Sequence, residues 1–159
     1  NSFDFMQQLL EDSNNHIKLP GNLFIWGTMN SADQGVFPID SAFRRRWEFE
    51  YKGYNEECSY GADVLRYNDG NIGWESFRNQ INKKLLTDLN VPEDKLIGPY
   101  FLTQDEISKP EKVLNKLFLY LWDDVARFQH KDLMNFDSFA DLKTNWNDGQ
   151  GAIFTFDIV

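Results

Sequence analysis

Leu19-Pro20-Gly21-Asn22-Leu23-Phe24-Ile25-Trp26-Gly27-Thr28-Met29-Asn30-Ser31-Ala32-Asp33, followed shortly by Pro38-Ile39-Asp40-Ser41-Ala42-Phe43-Arg44-Arg45-Arg46-Trp47, is the stretch from which the rest of this chain is read. Leu23 to Trp26 is apolar without alternation, which predicts a strand buried on both faces. Gly27 to Asp33 is a small polar loop that would hold Asn30 at the carboxyl end of a parallel sheet, where α/β proteins place their ligands. A short amphipathic helix follows, with Ile39, Ala42 and Phe43 inward, and it delivers Arg44, Arg45 and Arg46 at its end. Trp47 to Tyr51 then alternates apolar and acidic residues, the pattern of a strand with one buried face. A polar loop followed by exposed arginines is a layout suited to sensing a nucleotide and reaching its phosphates.

These residues resemble the AAA+ ATPases, and more closely the McrB-type subunit, the nucleotide-driven motor of modification-dependent restriction systems. The family signature is Met-Asn-x-x-Asp-Arg followed by Asp-x-Ala-x-Arg-Arg-Arg-aromatic. The chain matches it except that Gln34 stands in place of the arginine. Glu93 to Leu102 and Val113 to Val125 look like the lid region of the same family. The resemblance implies an α/β remnant of a AAA+ core over residues 1–53 (sensor strand, arginine-finger helix and following strand). A mainly α-helical lid subdomain with an extended C-terminal end would occupy residues 54–159. It further implies GTP or ATP with Mg²⁺ in the intact protein, a homo-oligomeric ring such as a hexamer, an McrC-like nuclease partner and DNA engaged through regions outside this chain. A degenerate scaffold without turnover, or a AAA+ remodelling ATPase unrelated to restriction, stands as the alternative.

A P-loop NTPase needs a glycine-rich loop and a lysine to cradle phosphates, and no G-x-x-x-x-G-K-[ST] occurs here. Nor does a hydrophobic strand end in paired acids that would hold Mg²⁺. The expectation is therefore a C-terminal part of a larger nucleoside-triphosphatase, cut after the phosphate-binding half. Alone it is expected neither to hydrolyse nucleotide nor to bind it tightly.

The chain has 159 residues, 42% of them hydrophobic and 16% aromatic, which is ample for a core. Its net charge of −9 is uneven: residues 1–53 carry 5 basic and 7 acidic groups, residues 54–159 carry 11 and 18. Phosphate contacts dominate nucleic-acid affinity, so the acidic second part argues against duplex binding there. The lone Cys58 excludes an intrachain disulfide and suits a reducing cytoplasm. No apolar run approaches the length that spans a bilayer, so the expected location is cytoplasmic.

Along the chain, Ser2 caps a predicted first helix with Phe3, Met6, Leu9 and Leu10 on one face. Residues 53–73 lack clear periodicity and read as a linker with a loop. Trp74, Phe77, Ile81, Leu85 and Leu89 predict a helix from about residue 74 to 89, stopped by Asn90-Val91-Pro92. Ser108-x-x-Glu111 reads as a capping box with Pro110 in the first turn. The helix it opens carries Val113, Leu114, Leu117, Phe118, Leu121, Trp122, Val125 and Phe128 on one broad face. Phe136, Phe139 and Leu142 predict a short last helix, and residues 152–159 an extended end whose partner lies elsewhere.

Asn30 is the first candidate site residue. At the end of a central strand its amide would hydrogen-bond a γ-phosphate oxygen and the attacking water; the plain alternative is an Asn making a turn. Asp33 braces that loop or holds an arginine. Arg44, Arg45 and Arg46 sit where the resemblance implies an arginine finger reaching a neighbouring subunit, Arg45 and Arg46 more than Arg44. The alternative is a solvated cationic helix end favoured by the helix dipole. Asp40 is expected to fix the helix start and no metal site is expected. Tyr100, in Gly98-Pro99-Tyr100-Phe101, either stacks on the nucleotide base or anchors a tight turn. His16 and His130 lack metal-ligand spacing.

Overall fold

The computed structural model describes residues 20–28, 40–68, 70–149 and 152–159. Residues 20–28 belong to one unit and everything from residue 40 onward to a second. The predicted first helix, with Ser2, and the residues from Met29 to Ile39 lie outside the described residues.

In the first unit, Leu23 N–H donates to Pro20 O at 3.0 Å. Leu23 to Trp26 form no strand. Phe24 and Trp26 are 71% and 85% exposed, their rings stacked with centroids 5.8 Å apart. This corrects the buried strand read from the sequence. An apolar run becomes a central strand only where neighbours take its backbone N–H and C=O groups, and no described residue of its own unit does so.

The second unit begins with α1 (Ser41–Arg44), then β1 (Val64–Tyr67), β2 (Gly70–Gly73) and α2 (Trp74–Thr87). A 3₁₀ turn (Glu93–Lys95) leads to α3 (Gln104–Ile107). Next, α4 (Pro110–Lys112) runs on into two wide π-type segments, Val113–Phe118 and Leu121–Val125. The last helices are α5 (His130–Leu133) and α6 (Phe139–Asp148).

The span read as a linker contains a hairpin. β1 and β2 pair antiparallel, with Leu65 opposite Ile72 and Tyr67 opposite Gly70. Asn68 has φ 43°, the left-handed conformation that a two-residue hairpin loop demands and that Asn tolerates. The hairpin feeds directly into α2, whose N-cap Gly73 has no side chain to offer. Loop carbonyls take that role: Trp74 N–H donates to Asp63 O at 2.8 Å and Glu75 N–H to Gly61 O at 3.0 Å. Two of the donors that a helix start leaves open are thereby satisfied. A Cβ at Gly61 would lie 2.5 Å from Glu75 Oε2 and 3.2 Å from Cys58 O, so a side chain there would force the Glu75 carboxylate to move.

Trp74, Phe77, Ile81 and Leu85 of α2 are fully buried, as their spacing predicts. The helix ends as read, with Asn90 at φ 52° ahead of Pro92. Asn82, one turn before Leu85, is buried too. Its Nδ2 donates to Ile97 O and its Oδ1 accepts from Ile97 N–H, both at 2.8 Å. One amide thus pairs both backbone groups of a buried residue. Phe154 is the meeting point of the core, its ring centroid 5.3–6.1 Å from those of Tyr67, Phe77, Phe118 and Phe156.

Three further readings are corrected. The capping box lies at Thr103 and Glu106, opening α3, whereas Ser108 ends that helix and Lys109 precedes α4; Pro110 does occupy the first turn. Phe128 is 92% exposed because the wide helix ends at Ala126. The extended end finds its partner within the chain: Met134 bridges Phe154, Asn135 N–H donates to Ile153 O and Thr155 N–H to Leu133 O. Asn135 Nδ2 adds a bond to Phe154 O at 2.6 Å. A new strand partner so near in sequence, across α6, is invisible to periodicity.

Asn82→Ala would leave Ile97 N–H and C=O buried without partners, at about 1–3 kcal/mol each, so urea unfolding should show a loss of about 3 kcal/mol. Glu106 is depressed to about 2, first by the hydrogen bond from Lys116 and then by Thr103 N–H. A carboxylate whose pKa is lowered on folding contributes stability above its ordinary pKa of 4.5, and that contribution is lost as pH falls toward 2. In an acid titration of stability, Glu106→Gln should flatten the decline across that window; an unchanged slope would contradict this assignment.

Candidate functional site

Residues 40–52 are exposed without exception, although Phe43, Trp47, Phe49 and Tyr51 lie among them. Asp40 starts α1 as anticipated: its carboxylate accepts from Phe43 N–H at 2.6 Å. Arg44 falls in the last turn and Arg45 caps the end. Arg46 folds back, its Nη1 donating to Ala42 O at 2.9 Å, which engages one edge of that guanidinium with a local helix-end carbonyl. The helix therefore gathers three cations at its negative end.

The inward face expected for Ala42 and Phe43 is not formed; Phe43 is 46% exposed and Ile39 lies outside the described residues. Phe43 instead stacks on Trp47, four residues on, with centroids 5.7 Å apart. The strand expected over Trp47 to Tyr51 is absent as well, for want of a described neighbour within its own unit to complete its hydrogen bonds. Cations and aromatic faces thus sit side by side on one accessible ribbon.

Asn30 and Asp33 lie outside the described residues. Tyr100 is 59% exposed and meets Tyr60 edge-on, centroids 5.7 Å apart. It belongs to a turn closed by Phe101 N–H donating to Gly98 O at 3.2 Å. Pro99 O, within the same turn, accepts from Trp74 Nε1 at 2.9 Å. His130 lies against Trp122, ring centroids 4.3 Å apart, and Cys58 is buried. Among the described residues no three His, Cys, Asp or Glu side chains converge as a metal site.

The functional geometry that sequence reading missed lies behind the ribbon. Arg78, on the same face of α2 as Trp74, Ile81 and Asn82, is completely buried. Its Nη1 donates to Tyr54 O and its Nη2 to Glu56 O, the latter at 3.0 Å. Glu75 is 4.0 Å away, and burial pushes the guanidinium below its ordinary pKa. The signal was available: a basic residue at an apolar helical position must be either misplaced or paired inside.

No protein-family profile matches this chain, and no solved structure does. The chain is 47% identical over 150 residues to a protein of Bacillus subtilis (strain 168) described as Type II restriction enzyme BsuMI component YdiS, with 89% of this chain and 42% of that protein covered. The identification as a McrB-type AAA+ subunit is thereby corrected: the relative's name is that of a Type II restriction component and not of a McrB-type motor. The chain spans less than half the length of this relative. No helix among the described residues is long and apolar enough to cross a membrane.

If the Asp40 carboxylate holds α1 together, Asp40→Ala should speed hydrogen exchange of the Phe43 amide several-fold while leaving amides in α2 unchanged.

Proposed function

We propose that this chain is part of a subunit of a Type II restriction system and serves in assembling or positioning that system rather than in cutting DNA. The observation that carries the reading is the 47% identity across 89% of the chain to the BsuMI component YdiS. Two features of the chain fit it. Among the described residues there is no set of carboxylates or imidazoles able to hold the metal ions on which many nucleases rely. The net charge of −9 also disfavours this region as the main DNA-binding surface.

A narrower reading is supported by the exposed arginines of α1. Guanidinium groups are always charged and planar, and they suit phosphate recognition. In this reading Arg45 and Arg46 reach the phosphates of a nucleoside triphosphate held by a neighbouring subunit of a self-associating assembly. Arg44 contributes less, from inside the helical turn, and Arg46 would exchange its bond to Ala42 O for one to phosphate. The described residues do not fit a Mg²⁺ site, so any metal that accompanies the nucleotide would be held elsewhere.

The test uses the full-length protein in its host. Deleting its gene should remove protection against unmodified phage DNA; undiminished protection would overturn the role in restriction. The double variant Arg45→Ala/Arg46→Ala should keep its circular dichroism and lose protection. Were nucleotide turnover present in the wild type, it should fall by about 10³-fold or more, the range for removal of a trans-acting arginine. A folded variant with full protection would leave the assembly role and remove the arginines from it.

A further inference from the structure

The ribbon of residues 40–52 makes no strand and no buried contact, yet the chain that follows it is gripped firmly. Gly53 is buried, and a turn closes there with Glu56 N–H donating to Gly53 O at 3.4 Å and Gly53 N–H to Glu56 Oε1 at 3.3 Å. Two carbonyls of this turn, Tyr54 O and Glu56 O, are taken by the two terminal nitrogens of Arg78. Tyr54 packs its ring on the core from the same turn. A Cβ at Gly53 would meet Asn55 Oδ1 at 2.6 Å, so a side chain there would displace the Asn55 amide.

A fully buried arginine is a costly way to secure a loop. Removing a cation from water is penalised by several kcal/mol even after relaxation, and Arg78 Nε has no hydrogen-bond partner at all among the described residues. The nearest carboxylate, Glu75, is at the outer limit of an ion pair. Aliphatic packing would hold a helix against a loop at less cost. What the planar fork adds is direction: two donors in fixed geometry fix the orientation of two carbonyls, and with them the exit angle of the chain. A second tether lies just upstream, where Tyr51 Oη donates to a Glu93 carboxylate oxygen.

We infer that Arg78 is a positioning residue: from inside the helical body it sets the direction in which the ribbon presents Arg44, Arg45 and Arg46. This rests on the reading that those arginines act on a partner. α2 is then the element that couples the buried core to the exposed cations. The guanidinium does so through Tyr54 O and Glu56 O, and Tyr51 with Glu93 limits the swing of the remaining segment.

Hydrogen exchange on the intact protein tests the anchoring, using Arg78→Lys, which keeps the charge but not the fork, and Arg78→Met, which keeps the stem. The expected result is faster exchange confined to amides 41–56, with amides 81–89 and 113–121 unchanged and protection against phage lowered in the same variants. Loss of stability spread evenly over all three segments would mark Arg78 as ordinary core and overturn the inference, as would unchanged exchange at 41–56 in both. Should Arg78→Met fail to fold, Arg78→Lys alone decides between these outcomes. Protection that survives Arg78→Lys but is lost in Arg45→Ala/Arg46→Ala would also overturn it. Protection that survives both variants would instead remove the functional reading of the arginines on which the inference depends.

Discussion

Helix α2 is enclosed on so much of its circumference that two polar side chains, Arg78 and Asn82, must lie inside. They sit one turn apart on the face that also carries Trp74, Ile81 and Leu85. Each bonds main-chain groups of a different loop: Arg78 those of residues 54 and 56, Asn82 those of residue 97. Buried polar groups tolerate few alternative arrangements, because any slip leaves a donor or acceptor dry. The helix therefore defines where both loops run, and through them the ribbon on one side and the turn bearing Tyr100 on the other. The hydrophobic cluster around Phe154 supplies bulk cohesion, while these two residues supply register.

Much of the second unit was legible because its signals are local and strong. The span of α2, its Asn-Val-Pro stop, Pro110 in a first turn and the apolar face from Val113 to Val125 all follow from periodicity and capping chemistry. The hairpin was missed although Asn68-Asp69-Gly70 stands between alternating residues, a turn signal hidden by the general polarity of the span. The capping box lies five residues before the one expected because two Ser/Thr-x-x-Glu patterns, at Thr103 and Ser108, compete. The pairing of Met134 with Phe154 joins residues whose own patterns say nothing about each other.

At the candidate site the local signals are weaker. Leu23 to Trp26 and Trp47 to Tyr51 have the composition of strands, yet a strand is a property of its neighbours as much as of its residues. Asp40 needed no such help, since its bond to Phe43 N–H spans three residues. Motif spacing suggests one family; the similarity along most of the chain is to a protein described as a Type II restriction component. The arginines of α1 keep their interest either way, because charge, exposure and a capped helix end belong to this chain itself.

The two wide segments of the helix after Pro110 have a consequence for how this sequence can change. A π-type turn carries one residue more than the α-turn it replaces, so each segment holds a residue the helix can do without. Loss of a single codon between Val113 and Val125 would let the helix tighten locally and carry its buried face on unbroken. The same loss within α2 would rotate Arg78 or Asn82 out of line with its carbonyl partners. Insertions and deletions among natural variants should therefore be tolerated in the one helix and purged from the other, although both line the same core.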